Sequence, residues 1–332
     1  MNSTPGNYFQ TLATEGGRGW NRFWFAPSDA IVLAALRISV GLMAFYLLAT
    51  YTLDLGRYFG EQALVPLKLI DGLEEATRDA GRQVLVGQVR EAMPRQYRFS
   101  YLDNLHGRGG LMLAHVAGMV VVGLFTAGCF TRITAVGSLV VFLSYLHRAP
   151  MLTSGVEPLV AVLLFYLCLG PSGACCSVDR CVLSRRKRNS EESSLPAPAS
   201  SWATVALRLI QVHLTLIYAM MAVGKLATEW WWNGIGVWLL IARTESRMID
   251  LSGLHQFPLL INAWSYAVLF WQSLMPIFIW NRLARPLLLA VNAVMWIVLA
   301  PVIGNFPLAL TMIAASLAFV SPSTLRRVMP VC

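Results

Sequence analysis

The sequence predicts an all-α, polytopic integral membrane bundle of about eight transmembrane helices, with amphipathic helices at its interface. Three observations predict it. Of 332 residues, 56% are hydrophobic and only 13% are charged, against about 25% charged in soluble domains. Long apolar stretches recur along most of the chain, and mean hydropathy is +0.58. The basic residues, which give a net charge of +9, gather in short connections beside those stretches, as the positive-inside rule requires. That placement excludes a nucleic-acid partner and makes membrane lipids the expected surroundings.

Residues 1–27 are polar and Gly-containing, with Arg18 and Arg22 ahead of an aromatic cluster at Trp20, Phe23, Trp24 and Phe25. No short apolar core with a small-residue cleavage site marks a signal peptide. Pro27, Ser28 and Asp29 provide a helix start, and the first span is expected at Asp29–Leu53. Arg37 lies within it, roughly 12 Å from its start at 1.5 Å per residue. Such a charge turns inward to a carboxylate, a carbonyl or a ligand. From 54 to 108 acids and bases alternate with apolar residues, so no span fits. Leu64–Arg90 reads as amphipathic helix on the membrane or over a cavity, Met93-Pro94 as a break, and His106 as a residue of a Gly-rich turn.

Three spans follow, near Gly110–Phe130, Ile133–Leu146 with its flanks, and Val156–Leu169. His115 falls in the first of them. His147, Arg148 and Glu157 frame a connection that reads either as solvated loop or as a functional cluster. Residues 171–201, with Arg185-Arg186-Lys187-Arg188 followed by Asn, Ser, Glu, Pro and Ala, form a basic linker unable to bury a core. If that linker is cytoplasmic, counting spans places Arg18, Arg22, Arg132, Arg282, Arg285, Arg326 and Arg327 on the same side. Both termini are then cytoplasmic in a bacterial-type inner membrane, with 54–108 outside. The membrane domain is expected to cover 28–320, followed by a tail at 321–332. Cys129, Cys168 and Cys332 are isolated. Cys175, Cys176 and Cys181 lack paired spacing and a nearby histidine, so no metal site is predicted.

The segment Ala203–Leu226 is apolar enough to cross a bilayer yet carries Arg208, Gln211, Thr215, Tyr218 and Lys225. At 3.6 residues per turn these share one side, which should face protein or water. Arg208 either snorkels to the headgroups or turns inward. Gln211 and Tyr218 serve either as interhelical glue or as ligand contacts. Lys225 is either an interfacial anchor beside Trp230, Trp231 and Trp232 or a functional group, with Glu229 four residues on and able to pair if the helix continues. His213 is off the stripe and reads as a core histidine. Beyond the tryptophans, Asn233-Gly234 is a break and Gly236–Ala242 a short interfacial or re-entrant helix. Arg243, Glu245, Arg247 and Asp250 then lead through water to spans near Phe257–Trp280, Arg285–Ile303 and Phe306–Val320.

An ordered set of short motifs runs through the chain. They are Phe25-Ala26-Pro27-Ser28 leading to Leu36-Arg37-Ile38, then Cys129-Phe130-Thr131-Arg132, Arg148-Ala149-Pro150 and Ser177-Val178-Asp179. Next come Ile217-Tyr218 with Gly224-Lys225-Leu226 and Trp230 to Trp232, Arg285-Pro286, Ile303-Gly304-Asn305-Phe306-Pro307 and Phe319-Val320-Ser321-Pro322. In this order they resemble the horizontally transferred transmembrane (HTTM) domain family, to which the vitamin K-dependent gamma-carboxylases belong. The resemblance implies a reduced vitamin K or menaquinone as cofactor, oxygen-dependent epoxidation of that quinol on the non-cytoplasmic side, and carboxylation of a glutamate in a protein or peptide substrate. It implies Lys225 as the base, a role in which a lysine must be neutral when it takes the proton. Arg37, Gln211, Tyr218, Glu229 and Trp230 are the expected lining of the quinol site. The chain departs from the carboxylases where they carry an Asn-His pair, here Thr153–Glu157, and has no histidine after His255. The alternative expectation is therefore a non-catalytic HTTM protein acting in binding, assembly or transport.

Overall fold

A computed structural model describes residues 5–60, 63, 64, 66, 72, 99–105, 107–188, 199–243 and 248–329. The expected amphipathic helices of Leu64–Arg90, the break at Met93-Pro94, His106, Glu245, Arg247 and Cys332 lie outside these residues or almost wholly so. The chain is all-helical, with no strand among the described residues. Helix α1 (Pro5–Phe25) precedes α2 (Ile31–Tyr51) and a short α3 (Leu55–Phe59). Next come α4 (Gly107–Ala127), α5 (Thr131–Arg148), α6 (Val156–Leu169) and α7 (Val178–Arg188). The second half holds α8 (Ser201–Leu226), short α9 (Glu229–Trp232) and α10 (Gly236–Ile241), α11 (Pro258–Phe278), α12 (Ala284–Ile303), α13 (Phe306–Ser316) and α14 (Pro322–Val328).

Four of these, α2, α4, α8 and α12, are long and apolar enough to cross a membrane. A fifth span results if the bent pair Phe306–Phe319 and Pro322–Val328 is counted as one. Together with α5, α6, α11 and α13, they run back and forth between two ends of the bundle. One end is marked by the Ser28–Ser200 backbone bridge, the other by the bonds of Arg148 to the Gly60 carbonyl and of Asn305 to that of Ser154. Helix α2 is the axis. Of its apolar window 67% is buried, against 28% for α4 and 33% each for α8 and α12. Outward side chains on those three helices, such as Leu113, Met220 and Val294, stay exposed in the isolated chain, as lipid-facing positions must.

Local chemistry sets the element ends. Asn305 accepts a hydrogen bond from the Leu308 N–H at the start of α13, and Ser321 accepts one from that of Thr324 at the start of α14. Pro307 and Pro322 occupy first-turn positions, where no amide proton is needed. At Gly41 a side chain would collide with Thr126, so the glycine lets α2 and α4 approach closely. Gly128 combines a φ of +80° with a Cβ position 2.5 Å from the Ser177 Cβ, so only glycine suits the α4–α5 turn.

Two stretches are more ordered than the sequence reading allows. Residues 1–27 read as a polar segment, yet Pro5–Phe25 is one helix. The first part of the 171–201 linker forms turns and then α7, because Asp179 binds the neighbouring helix start, as described next.

Candidate functional site

The polar stripe of α8 is real, but its members serve separate constellations. Nearest the bridged end, the Arg208 guanidinium donates to the Phe23 carbonyl (3.2 Å) and to Gln211 Oε1 (2.9 Å). It also lies 4.4 Å from the Phe23 ring and 5.9 Å from that of Trp280. Arg208 therefore does not snorkel: it fastens α1 and the end of α11 to α8. Gln211 donates onward to the Ala318 carbonyl at 2.7 Å, tying α8 to the turn after α13. Seven residues further, the Tyr218 hydroxyl donates to Asn292 Oδ1 (2.5 Å) and accepts from Trp296 Nε1 (2.7 Å). Asn292 then donates to Ser316 Oγ at 2.9 Å. Tyr218 is 1% exposed and Gln211 7%, so both are interhelical glue. His213, bonded to the Tyr166 hydroxyl at 3.1 Å, is the hydrogen-bonded packing residue expected of it.

Lys225 stands apart. It is half-buried in the last turn of α8, with its Nζ 4.9 Å from the centre of the Trp231 ring. Among the described residues no carboxylate pairs with it. The helix stops at Leu226 and Thr228 is extended, so Glu229 begins a separate turn and is exposed. Trp230 is 54% exposed. The ring that meets the lysine is Trp231, whose neighbour Trp232 donates its indole N–H to the Leu226 carbonyl at 2.7 Å and fixes the turn.

Arg37 belongs to the opposite end. Fully buried, it donates to the Ser172 carbonyl at 2.7 Å and the Cys176 carbonyl at 2.6 Å. Beside it Asp179 accepts from the N–H groups of Phe130 (2.9 Å) and Thr131 (3.0 Å) and from the Thr131 hydroxyl, closing the N-terminus of α5. Burial works to raise the Asp179 pKa, but these hydrogen bonds and the charge of Arg37 outweigh it, holding the carboxyl below its usual range. Burial pushes the neighbouring Cys175 thiol up, which keeps it protonated and unreactive. Of the expected lining, then, Gln211, Tyr218 and Arg37 are bound to protein partners, and Arg37 is at the far end of the bundle from Lys225.

A second polar group was not assembled by sequence reasoning. His115, fully buried, sits between the Thr52 hydroxyl (2.9 Å from Nε2) and the Tyr145 hydroxyl (2.7 Å from Nδ1). The Tyr145 ring stacks on Tyr51 at 6.0 Å, and Tyr51 donates to Glu157 at 3.3 Å. Glu157, 7% exposed, also accepts from the Ser154 N–H. Arg148, 1% exposed, pairs with Asp103 at 3.5 Å. Arg148 and Glu157 are thus buried, where the loop reading had them in water. The available signal was the crowding of Tyr51, Thr52, His115, Tyr145, Arg148 and Glu157 at the same end of successive spans.

No protein-family model, curated protein or solved structure matches this chain. Function has to be argued from the site.

Proposed function

We propose that this chain is a membrane protein of the HTTM type that handles a lipid quinol at the end of α8, with Lys225 as the proton acceptor. The observation that carries this reading is the setting of Lys225: a half-buried ammonium in an apolar helix, against Trp231 and without a carboxylate among the described residues. An ion pair would hold a lysine charged and occupied, so the lack of one leaves the Lys225 nitrogen available to exchange a proton with a bound ligand. Lys225 would accept the hydroxyl proton of a quinol held there, and the quinol would supply the two electrons and two protons with which oxygen gives the epoxide and water. Reduced vitamin K or menaquinone is the cofactor class, and a glutamate-bearing protein or peptide is the acceptor in the carboxylating version. The reading includes eight crossings, both termini cytoplasmic, and the Lys225 end outside.

A second reading, a non-catalytic binding, assembly or transport component, is favoured by a different observation. Arg37, Gln211 and Tyr218 are engaged by protein groups, leaving the rest of the stripe to hold helices together. Oxygen-dependent epoxidation of reduced menaquinone or vitamin K, measured on wild type and Lys225→Ala in lipid, separates the two. Turnover lost in a variant of unchanged thermal stability supports the enzyme. Absence of turnover in stable wild type selects the non-catalytic reading.

A further inference from the structure

Helix α1 carries an apolar face that stays exposed among the described residues. At 100° per residue, Leu12, Gly16, Gly19, Trp20, Phe23 and Trp24 fall on one arc, while Thr14, Arg18, Asn21 and Arg22 fall on the other. The final turn packs on the bundle. Phe23 and Trp24 are half-buried, and the Phe23 ring lies 5.8 Å from that of Trp280. Leu12 is 57% exposed and Trp20 63%. The helix is also intrinsically weak, since Gly16, Gly17 and Gly19 stand in open space and each costs about 1 kcal/mol relative to alanine. A single exposed ion pair, Glu15–Arg18 at 2.9 Å, contributes little. Such a helix requires a surface against which to bury its apolar arc.

Its position and charge say which surface. Helix α1 ends at Phe25 and α2, the axis of the bundle, begins at Ile31, so α1 meets the bundle where the apolar belt begins. Exposed Arg22, Arg132, Arg282 and Arg327 surround this end. Among the described residues its acids are Glu15, Asp29 and Asp179, and each is already engaged, by Arg18, by Arg326 and by the start of α5. We propose that α1 is an interfacial helix that lays its Leu12–Trp20 face into the acyl boundary and presents Arg22 to anionic phospholipid headgroups. The proposal stands independently of the quinol reading.

The test places a photo-crosslinking residue at Leu12 or, on the opposite arc, at Thr14, in the full chain reconstituted in phosphatidylcholine vesicles with or without phosphatidylglycerol. The expected result is lipid adduct several-fold stronger from position 12 than from position 14, with phosphatidylglycerol over-represented. Arg22→Gln should reduce that over-representation by roughly fivefold, the weight of one basic group near an anionic surface, with the adduct at position 12 retained. Equal adduct from both positions overturns the proposal, as does crosslinking of position 12 to a second copy of the chain or to another protein. Adduct without preference for phosphatidylglycerol overturns the anionic-lipid assignment.

Discussion

The two ends of the bundle share one way of holding buried charge and differ in what stands beside it. At the bridged end, arginines are fastened to backbone carbonyls and carboxylates: Arg37 to Ser172 and Cys176, Arg208 to Phe23, and Arg326 to Asp29 at 2.5 Å. These bonds join segments far apart in sequence, so the charge there acts as a fastener. At the other end Arg148 is fastened likewise, to the Gly60 carbonyl and Asp103, and uncharged or acidic groups turn inward as the Thr52–His115–Tyr145 and Tyr51–Glu157 contacts. Among the described residues, Lys225 is the one polar group singled out on α8 that meets an aromatic ring in place of a hydrogen-bonding protein partner. The Lys225 end thus holds, besides its own fastener at Arg148, a cation that meets a ring where the bridged end's buried arginines meet carbonyls.

Four substitutions or conditions would break or sharpen that contrast. Arg37→Ala strips donors from two buried carbonyls and leaves a cavity beside α2. It should cost about 3–5 kcal/mol, read as a large drop in thermal stability in detergent, and a near-wild-type melting temperature would remove Arg37 from the fasteners. Tyr218→Phe leaves Asn292 Oδ1 and Trp296 Nε1 short of a partner and should cost about 1–2 kcal/mol with the helical spectrum unchanged. Acid acts next. Because the folded pKa of Asp179 is depressed, its stabilisation is present above the ordinary carboxylate value and is lost as pH falls through the depressed one. Melting should therefore weaken below about pH 4, and Asp179→Asn should flatten that dependence. Lys225→Ala should change stability by less than about 0.5 kcal/mol, as surface-like substitutions do, and on the proposed quinol reading it should remove turnover. A large stability loss would make Lys225 one more fastener.

The all-helical, apolar character of the chain and the polar stripe of α8 are legible in the sequence because each is a pattern within one segment. The apolar run Val156–Leu169 is a helix, though shorter than the four that are long enough to cross, and Arg208, Gln211 and Tyr218 share a helix side as their spacing demands. What the spacing leaves out is the partner. Tyr218 is held by Asn292 and Trp296 and Glu157 by Tyr51, and each pair is joined only when distant helices pack. The same limit applied to Lys225, for which helix breakage after Leu226 removed the expected approach of Glu229 and substituted Trp231. Helix α1 was hidden for another reason: its glycines suggest loop, although Leu12, Gly16, Trp20 and Phe23 recur at helical intervals.

The antiparallel bridge between Ser28 and Ser200 brings together the approaches to α2 and α8, the first long apolar helices of the two halves of the chain. Residues 5–188 and 199–329 therefore meet at a defined seam, reinforced by the Thr204 hydroxyl bond to the Ala26 carbonyl and by the Arg326–Asp29 pair. Two polypeptides divided between Arg188 and Ala199 would carry all of these recognition elements, and co-expressed fragments should find each other and reassemble as a split protein.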